Sequence, residues 1–351
     1  SGDQAGAPRA PGAASTGAAP RYGRWFVAIL LLLLALFALS ALRSGPDRLF
    51  VGAPAAMPLL EVSAPVSGNT PPSRALARAL DSKLRDGLRR FDMVELLSAQ
   101  APGAAAVRAD YRLDVSMVLN QQGVGQVTLV LNRVSDQRAI WSQQERISDE
   151  GMPQLESIEP LIAQIAADYG VIVRDQIQRE PDNFAAGYPC LAQFNRMRQM
   201  RNMPYAQQVE ACLRATLKHN ARDPVALAAL SLLRFGDWQP QRMVPAGREA
   251  FAEGRVLAEQ AYESSPNSSA GLFAMARANF YAGNCLRGNT MGDAALRLNP
   301  YDPDLNGFLG LFKITCGQAE AGEALLRRSL ALDPSYPGVP AVTLAFILSQ
   351  R

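Results

Sequence analysis

The chain has 351 residues, of which 48% are hydrophobic and 19% are charged. This length exceeds what one hydrophobic core usually organises and predicts about two domains, while the hydrophobic content excludes a mostly disordered chain. The 35 Lys and Arg residues nearly balance the 32 Asp and Glu residues, which argues against nucleic-acid binding by this chain. The single histidine, His219, argues against histidine-based zinc sites and Ser-His-Asp triads, so we expect no enzyme, no metal site and no cofactor.

The first segments of the chain differ sharply in composition. Residues 1–24 are mostly Ala, Gly, Pro, Ser and Thr, which cannot bury enough apolar area to become ordered, and they predict a flexible linker. Residues 25–42, WFVAILLLLLALFALSAL, are 18 residues without a charge or a proline and predict one transmembrane helix. A cleaved signal peptide is the alternative, but no small-residue cleavage motif follows. The flanking arginines weakly favour a cytoplasmic amino terminus.

After a spacer at residues 43–55, the segment 56–180 mixes helical and strand patterns. Leucines at every fourth residue predict a helix that opens at Ser73. Alternation of apolar and polar residues over 111–119 and 127–131 predicts a hairpin, and the glycines between them indicate a turn rather than a phosphate-binding loop. Three more strands are expected at 58–66, 93–99 and 139–147, and one long helix is expected at 152–178. Together these elements predict an α+β sandwich domain built on an antiparallel sheet.

The stretch from residue 109 to 147, ADYRLDVSMVLNQQGVGQVTLVLNRVSDQRAIWSQQERI, resembles the TolB amino-terminal-like domain. In that family a strand pair ends in a short turn and a Trp-bearing strand follows, and Trp141 stands at the matching place here. The resemblance implies a non-catalytic module of the bacterial envelope.

Residues 184–351 contain an internal repeat of 34 residues. Pro266, Pro300 and Pro334 are separated by this interval, as are Gly283 and Gly317. Further matches at the same spacing are Ala276 with Gly310, Gly288 with Gly322, Ala295 with Ser329, Leu296 with Leu330 and Leu298 with Leu332. The pattern resembles the tetratricopeptide repeat, a helix-turn-helix with small residues at helix crossings and Pro after the second helix. It predicts an all-α domain of tetratricopeptide-like helical repeats.

The four cysteines fall where the predicted helices can bring them together in pairs. Cys190 and Cys212 lie on the two helices of one hairpin, about equally far from its turn. Cys316 ends a first helix and Cys285 starts the second helix of the preceding repeat, and stacking brings these two ends to the same edge. We therefore expect disulfides Cys190–Cys212 and Cys285–Cys316, which would imply an oxidising compartment. Four buried free thiols are the alternative.

A partner-binding groove is expected on the concave face of the repeats, where a protein or peptide ligand would bind. Phe273, Arg277 and Phe280 lie one helical turn apart on a predicted first helix, and they are the candidate groove residues. Ligand binding there would alter the association or position of anchored chains and so pass a signal on.

The order of linker, span, envelope-type domain and repeats resembles the carboxy-terminal part of ToxR/CadC-type membrane regulators. In that family a cytoplasmic winged-helix DNA-binding domain precedes such a linker, and this sequence starts without Met. The resemblance implies transcription regulation and signal transduction, with the chain in the bacterial inner membrane and its carboxy-terminal region periplasmic. DNA would be contacted only through an upstream domain. The sequence leaves open whether the chain forms a homodimer. The alternative is a repeat adaptor or scaffold of a bacterial envelope assembly.

Overall fold

The computed structural model describes residues 53–66, 70–97, 107–119, 124–148, 155–200, 205–335 and 338–349. Within these residues, no helix is both long enough and apolar enough to cross a membrane. The predicted linker 1–24, the predicted span 25–42 and most of the predicted spacer 43–55 lie outside the described residues. Residues 53–351 form one compact unit, and the following description concerns that unit.

A five-stranded sheet lies in residues 53–180, which we call the sheet part, in the order β2-β1-β3-β4-β5. The strands are β1 (Leu59–Val62), β2 (Glu95–Leu96), β3 (Tyr111–Leu119), β4 (Val124–Arg133) and β5 (Arg138–Ser148). Strand β1 is parallel to both β2 and β3, whereas β3, β4 and β5 are antiparallel neighbours. The expected antiparallel sheet is therefore wrong, and the sheet is mixed. Helix α1 (Pro71–Leu88) carries the chain back along the sheet, so that β2 joins β1 in the parallel sense.

Helix α1 contributes its leucine stripe to the core of the sheet part, as the spacing predicts. Leu76, Leu80, Leu84 and Leu88 are at most 1% exposed. The helix starts after Thr70, whose hydroxyl accepts a hydrogen bond from the Ser73 N–H, and prolines fill its first turn, where no N–H is needed. Burying each leucine contributes about 1.5–3 kcal/mol to stability.

The long helix expected over 152–178 is wrong, because two helices occupy this segment: α2 (Glu159–Ala166) and α3 (Val171–Arg179). The backbone becomes extended at Ala167, with φ −69° and ψ 169°. A Cβ at Gly170 would lie 2.7 Å from the carbonyl oxygen of Ile165, so the turn needs a residue without a side chain. The break places Asp168 in a turn beside the repeats, where an uninterrupted helix would not have placed it.

The repeats consist of four helix pairs and a lone final helix, and we call residues 184–349 the repeat part. The helices are α4 (Tyr188–Met200), α5 (Ala206–His219), α6 (Pro224–Trp238), α7 (Pro245–Ser264), α8 (Ser269–Tyr281), α9 (Cys285–Leu298), α10 (Pro303–Thr315), α11 (Ala319–Leu332) and α12 (Val339–Ser349). Helices α8 and α10 begin 34 residues apart, and so do α9 and α11. The predicted tetratricopeptide-like region is confirmed by this period and by the pairing of the helices.

Small residues allow the paired helices to cross closely. A Cβ at Gly310 of α10 would lie 2.8 Å from the carbonyl oxygen of Gly322, and one at Gly322 of α11 would lie 2.5 Å from that of Gly310. Gly283 and Gly317 follow the first helices α8 and α10 with φ of +77° and +82°, a conformation that favours glycine. The glycines repeated at 34-residue spacing therefore do two different jobs, close crossing and tight turning.

One continuous hydrophobic core connects the sheet part to the repeat part, extending from Leu60 to Leu332. Polar contacts reinforce this junction. Glu159, the first residue of α2, accepts a hydrogen bond from Arg328 of α11 across the junction, and Lys83 of α1, on the same side of the junction, donates to it at 2.5 Å. The sheet part therefore packs directly against the repeat part and shares its hydrophobic core.

Candidate functional site

A cavity of about 90 Å³ lies between the repeat part and the sheet part. Its repeat-side wall comes from the first helices α4, α6 and α8, the turn before α10 and the start of α10. Within the described repeats, no residue of a second helix lines it. The opposite wall consists of Phe91, Asp92, Met93 and Asp168 of the sheet part. Because first helices line the inner side of a tetratricopeptide-like array, this cavity lies on the concave face.

Helix α6 forms the apolar wall of the cavity. Val225, Ala228 and Leu232 are spaced three and four residues apart, which puts them on one face of the helix, and all three are half-buried. The helix begins at Asp223, whose carboxylate accepts the N–H groups of Val225 and Ala226 at 3.0 and 2.9 Å. An ordinary amphipathic helix with a standard cap thus presents an apolar face to the cavity.

Charged side chains form another portion of the repeat-side wall, centred on Asp304 at the start of α10. Its carboxylate pairs with Arg198 of α4 at 2.5 Å and with Arg277 of α8 at 2.8 Å. All three side chains are at most 12% exposed. Removing one partner of such a buried pair typically destabilises a protein by about 3–5 kcal/mol. This group therefore holds three first helices in a fixed arrangement around the cavity.

Asp92 enters the cavity from the sheet part. Asp92 lines the cavity, and part of its surface remains exposed to solvent. Burial raises the pKa of the Asp92 carboxyl to about 6, and the nearby negative charges of Asp168 and Asp223 act in the same direction. A hydrogen bond from the backbone N–H of Ala270 lowers this pKa in part. Asp92 therefore changes its charge in a mildly acidic range where ordinary carboxyls are already ionised.

Two more carboxyls of the cavity are perturbed in the same direction. Burial raises the pKa of Asp168, although the positive charge of Arg198 opposes the rise. Burial also holds the pKa of Asp302 well above its usual range, with repulsion from Asp168 and Asp304 adding to it. The cavity thus combines firmly paired charges with carboxyls whose neutral forms are favoured.

The three predicted groove residues do not all reach the cavity. Phe273 and Arg277 line it, and the Arg277 guanidinium lies 4.0 Å from the centre of the Phe273 ring. Nε of Arg277 has no hydrogen-bond partner among the described residues. Phe280 lies outside the cavity lining, where its ring stacks on Phe312 at a centroid distance of 4.5 Å. All three side chains are over nine-tenths buried. Because Phe273 and Arg277 also line the cavity, they are parts of its wall.

The structure contains the two expected disulfides. Cys190 and Cys212 join α4 to α5 with a Cα separation of 5.7 Å, and Cys285 and Cys316 join neighbouring repeats with a separation of 5.8 Å. The first pair is buried, whereas the second is half-buried. Neither disulfide lines the cavity, so their role is to fix helices relative to one another.

Several cavity residues escape a reading of the sequence. Asp92 and Asp168 each lie in a turn between elements, where no periodic pattern marks them. Arg198 lies on a predicted helix, but its partner Asp304 is 106 residues away in the sequence. Only the 34-residue period, which identifies first helices as the inner ones, could have pointed to the face that these residues share.

No protein-family model matches the chain, and no curated protein does. Among solved structures, the chain is similar to a thermophilic TPR protein of Thermus thermophilus, with 12% identity, 51% of this chain and 88% of that chain covered, and a TM-score of 0.39. It is also similar to MamA, with 13% identity, coverage of 41% and 75%, and a TM-score of 0.29. A third is YrrB, a TPR protein with an unusual peptide-binding site, with 11% identity, coverage of 51% and 98%, and a TM-score of 0.24. Similarity this low carries no argument about function.

Proposed function

We propose that the repeat part binds a protein or peptide at its concave face, and that the chain is the non-enzymatic sensing part of a membrane-anchored regulator. The cavity carries this proposal, because first helices form one wall and the sheet part forms the other. A partner side chain placed there would contact both parts at once. Binding would then favour one arrangement of the two parts over another, which is what transmission of a signal requires.

The size of the cavity favours an anchor side chain from a protein or peptide. Pockets for free small molecules usually measure about 300–1,000 Å³, and this cavity has about 90 Å³. A single apolar side chain and its neighbouring backbone group fit such a volume and such a mixture of apolar and charged walls. The ligand class that we propose is therefore a polypeptide segment.

The finer assignments belong to the same proposal. The half-buried and buried disulfides favour an oxidising compartment, which agrees with a periplasmic carboxy-terminal region and a single predicted span in the bacterial inner membrane. The TolB-like and ToxR/CadC-type resemblances supply the role in transcription regulation through an upstream winged-helix domain.

A pair of matched substitutions tests the proposal. Leu232→Arg places a cation at the apolar cavity wall, whereas Val256→Arg makes the same change on an exposed second helix. The full chain is expressed in its native membrane, and partners are captured by chemical cross-linking and identified by mass spectrometry. We expect Leu232→Arg to lose the specific partner and Val256→Arg to keep it. Loss with both variants or with neither would contradict binding at the concave face.

Hydrogen exchange with the captured partner bound separates the sensor from the adaptor or scaffold. A sensor requires that partner binding change the exchange of the sheet part, most of all at β1 and β2. An adaptor requires protection of the repeat part alone. Unchanged exchange across residues 53–97 with a protected repeat part would therefore move the adaptor hypothesis ahead.

A further inference from the structure

A second cavity, of about 540 Å³, lies where the sheet part meets α4, the first helix of the repeat part. Its wall comes from the segment before β1, the start of β3, the end of β4 with the turn that follows it, the end of α3 and the start of α4. Among the described residues, none lines both this cavity and the one at the concave face. Pockets for small molecules usually measure about 300–1,000 Å³, so the second cavity has the size of a small-molecule site.

Two of the three arginines in the wall of the second cavity are already paired with carboxylates of the protein. Asp175 of α3 accepts from Nη1 of Arg133 at 2.5 Å and from Nε of Arg179 at 3.1 Å. The Tyr111 hydroxyl donates to the same carboxylate at 2.7 Å. Nε and Nη2 of Arg133 both donate to Asp136. The charges of Arg133 and Arg179 are therefore largely neutralised within the wall.

Three other charged side chains of the wall have no ion-pair partner among the described residues. They are Arg108, Asp110 and Glu180, and all three are exposed to solvent. Their hydrogen bonds within the described residues connect them to neutral groups: Arg108 to a backbone carbonyl, the Asp110 carboxylate to a backbone N–H and the Glu180 carboxylate to two side-chain amides. One guanidinium and two carboxylates are thus available to the charges of a ligand.

The wall also contains a buried hydroxyl. Tyr188, at the start of α4, is 4% exposed, and its hydroxyl has no hydrogen-bond partner among the described residues. Burial holds the pKa of Tyr188 well above its ordinary value, so the hydroxyl keeps its proton and can donate. The groups that act on it electrostatically include Tyr111, Arg179 and Asp110 of the same wall. A ligand oxygen would give this donor the acceptor that the described protein groups do not supply.

We propose that the second cavity binds a small zwitterionic ligand with a free ammonium group and a free carboxylate, as in an amino acid or a short peptide. Arg108 and Tyr188 donate to the ligand carboxylate, while Asp110 and Glu180 accept from the ammonium group. A ligand with a charge of one sign would leave part of this set unmatched. The volume of about 540 Å³ equals about eighteen water molecules at about 30 Å³ each, which suits a tripeptide of small residues. This site does not depend on partner binding at the concave face.

Ligand-observed NMR tests the proposal on the full chain in detergent micelles, with protein-free micelles as the blank. The probes are trialanine, N-acetyl-trialanine, trialanine amide and free alanine, and saturation-transfer titrations give their dissociation constants. We expect trialanine to bind with a Kd below about 1 mM, and we expect blocking either end to weaken binding at least about tenfold. Tighter binding of trialanine than of alanine would identify a short peptide as the ligand, and the reverse would identify a free amino acid.

Substitutions in the wall connect probe binding to this cavity. Arg108→Gln should weaken binding of trialanine at least about fivefold and leave that of trialanine amide unchanged, because the amide lacks the carboxylate. Asp110→Asn should weaken trialanine in the same way and leave N-acetyl-trialanine unchanged. Tyr188→Phe should weaken trialanine about threefold without lowering the unfolding temperature, because no described group bonds the hydroxyl that it removes. Arg248→Gln, at an exposed position of α7 outside the cavity, is the control and should bind as the wild type does.

The proposal has three ways to fail. Binding of neither trialanine nor alanine would overturn it, as would binding that the three wall substitutions leave unchanged. Sensitivity to blocking at one end only would mean a ligand with a single charge, which would overturn the zwitterionic assignment.

Discussion

Gly187 joins the beginning of the sheet part to the first helix of the repeat part. Its φ is +90°, and a Cβ there would lie 2.2 Å from the carbonyl oxygen of Ala55. The Ala55 N–H donates to the Ala186 carbonyl oxygen at 2.9 Å, and the Tyr188 N–H donates to the Ala55 carbonyl oxygen at 3.0 Å. Only glycine combines this backbone conformation with so close an approach. One residue thereby fastens two segments that are far apart in the sequence.

Replacing Gly187 with Ala should lower the free energy of unfolding by about 1–3 kcal/mol, because the new side chain strains the backbone and pushes Ala55 away. Gly236 of α6 is the control, since a Cβ there meets no atom within 4 Å. Gly236→Ala should stabilise the protein by up to about 1 kcal/mol through higher helix propensity. Urea unfolding of the full chain measures both changes, and equal effects of the two substitutions would argue against the constraint at Gly187.

The pH dependence of stability should carry the signature of Asp92. Its pKa in the folded protein, about 6, lies above that of an ordinary Asp carboxyl, so the folded state holds an extra proton between the two values. The resulting stabilisation is complete below the ordinary Asp range and disappears as the pH rises through about 6. We therefore expect the unfolding temperature to fall as the pH is raised from about 4.5 to about 7.

Asp92→Asn should flatten this part of the profile and raise the unfolding temperature at about pH 7, because it removes the charge that Asp168 and Asp223 repel. Asp86→Asn is the matched control on α1. Hydrogen bonds from Arg89 and Arg90 lower the pKa of Asp86, so this substitution should leave the decline in place. Differential scanning calorimetry across this pH range measures the unfolding temperatures. An unchanged profile for Asp92→Asn would contradict a raised pKa at Asp92.

Among the elements, those with one buried side could be predicted from the sequence. The leucine stripe of α1 and the alternating residues of β3 and β4 follow directly from burial on one face, and the structure has them where the pattern places them. The repeats could be predicted because each 34-residue unit meets the same neighbours as the last. In each case the physical requirement is local and repeats along the chain.

The elements that escaped prediction depend on distant contacts. The turn at Ala167–Gly170 interrupts a run of apolar residues that would suit one helix, and close packing of the Gly170 backbone decides the outcome. The parallel pairing of β1 with β2 and β3 depends on how α1 returns the chain, which no periodicity records. The same holds for the cavity: helical spacing identified Phe273 and Arg277, but the opposite wall, from residues 91–93 and 168, is remote in sequence.

The two disulfides should differ in their resistance to reduction. Cys190 and Cys212 are buried inside one helix pair, whereas Cys285 and Cys316 are half-buried at the junction of neighbouring repeats. Mild dithiothreitol followed by alkylation and peptide mass mapping should label Cys285 and Cys316 first. Complete labelling should require reduction, as the proposed oxidising compartment implies. Labelling of all four thiols without reduction, or of the buried pair first, would contradict this picture.

The sheet part and the repeat part form one unit, although they follow one another in the sequence as two sets of elements. The predicted boundaries 56–180 and 184–351 follow the order of the elements, while residues 53–351 form one unit with a shared core. The hydrogen bonds that Arg328 donates to Glu159, and that Arg90 donates to the carbonyl oxygen of Leu298, cross that boundary. A ligand on the concave face of the repeats therefore meets the sheet part directly, which is the physical basis of the proposed sensing.

Site-specific photo-cross-linking can show whether a partner polypeptide lies at the cavity. A photoreactive phenylalanine derivative replaces Leu232 at the cavity wall or, as the control, Val256 on an exposed second helix. In native membranes, we expect a discrete adduct with a partner polypeptide from position 232 and none from position 256. In the isolated full chain, position 232 should instead give an internal adduct to residues 90–93. Absence of both adducts from position 232, or the same partner adduct from position 256, would contradict partner binding at the concave face.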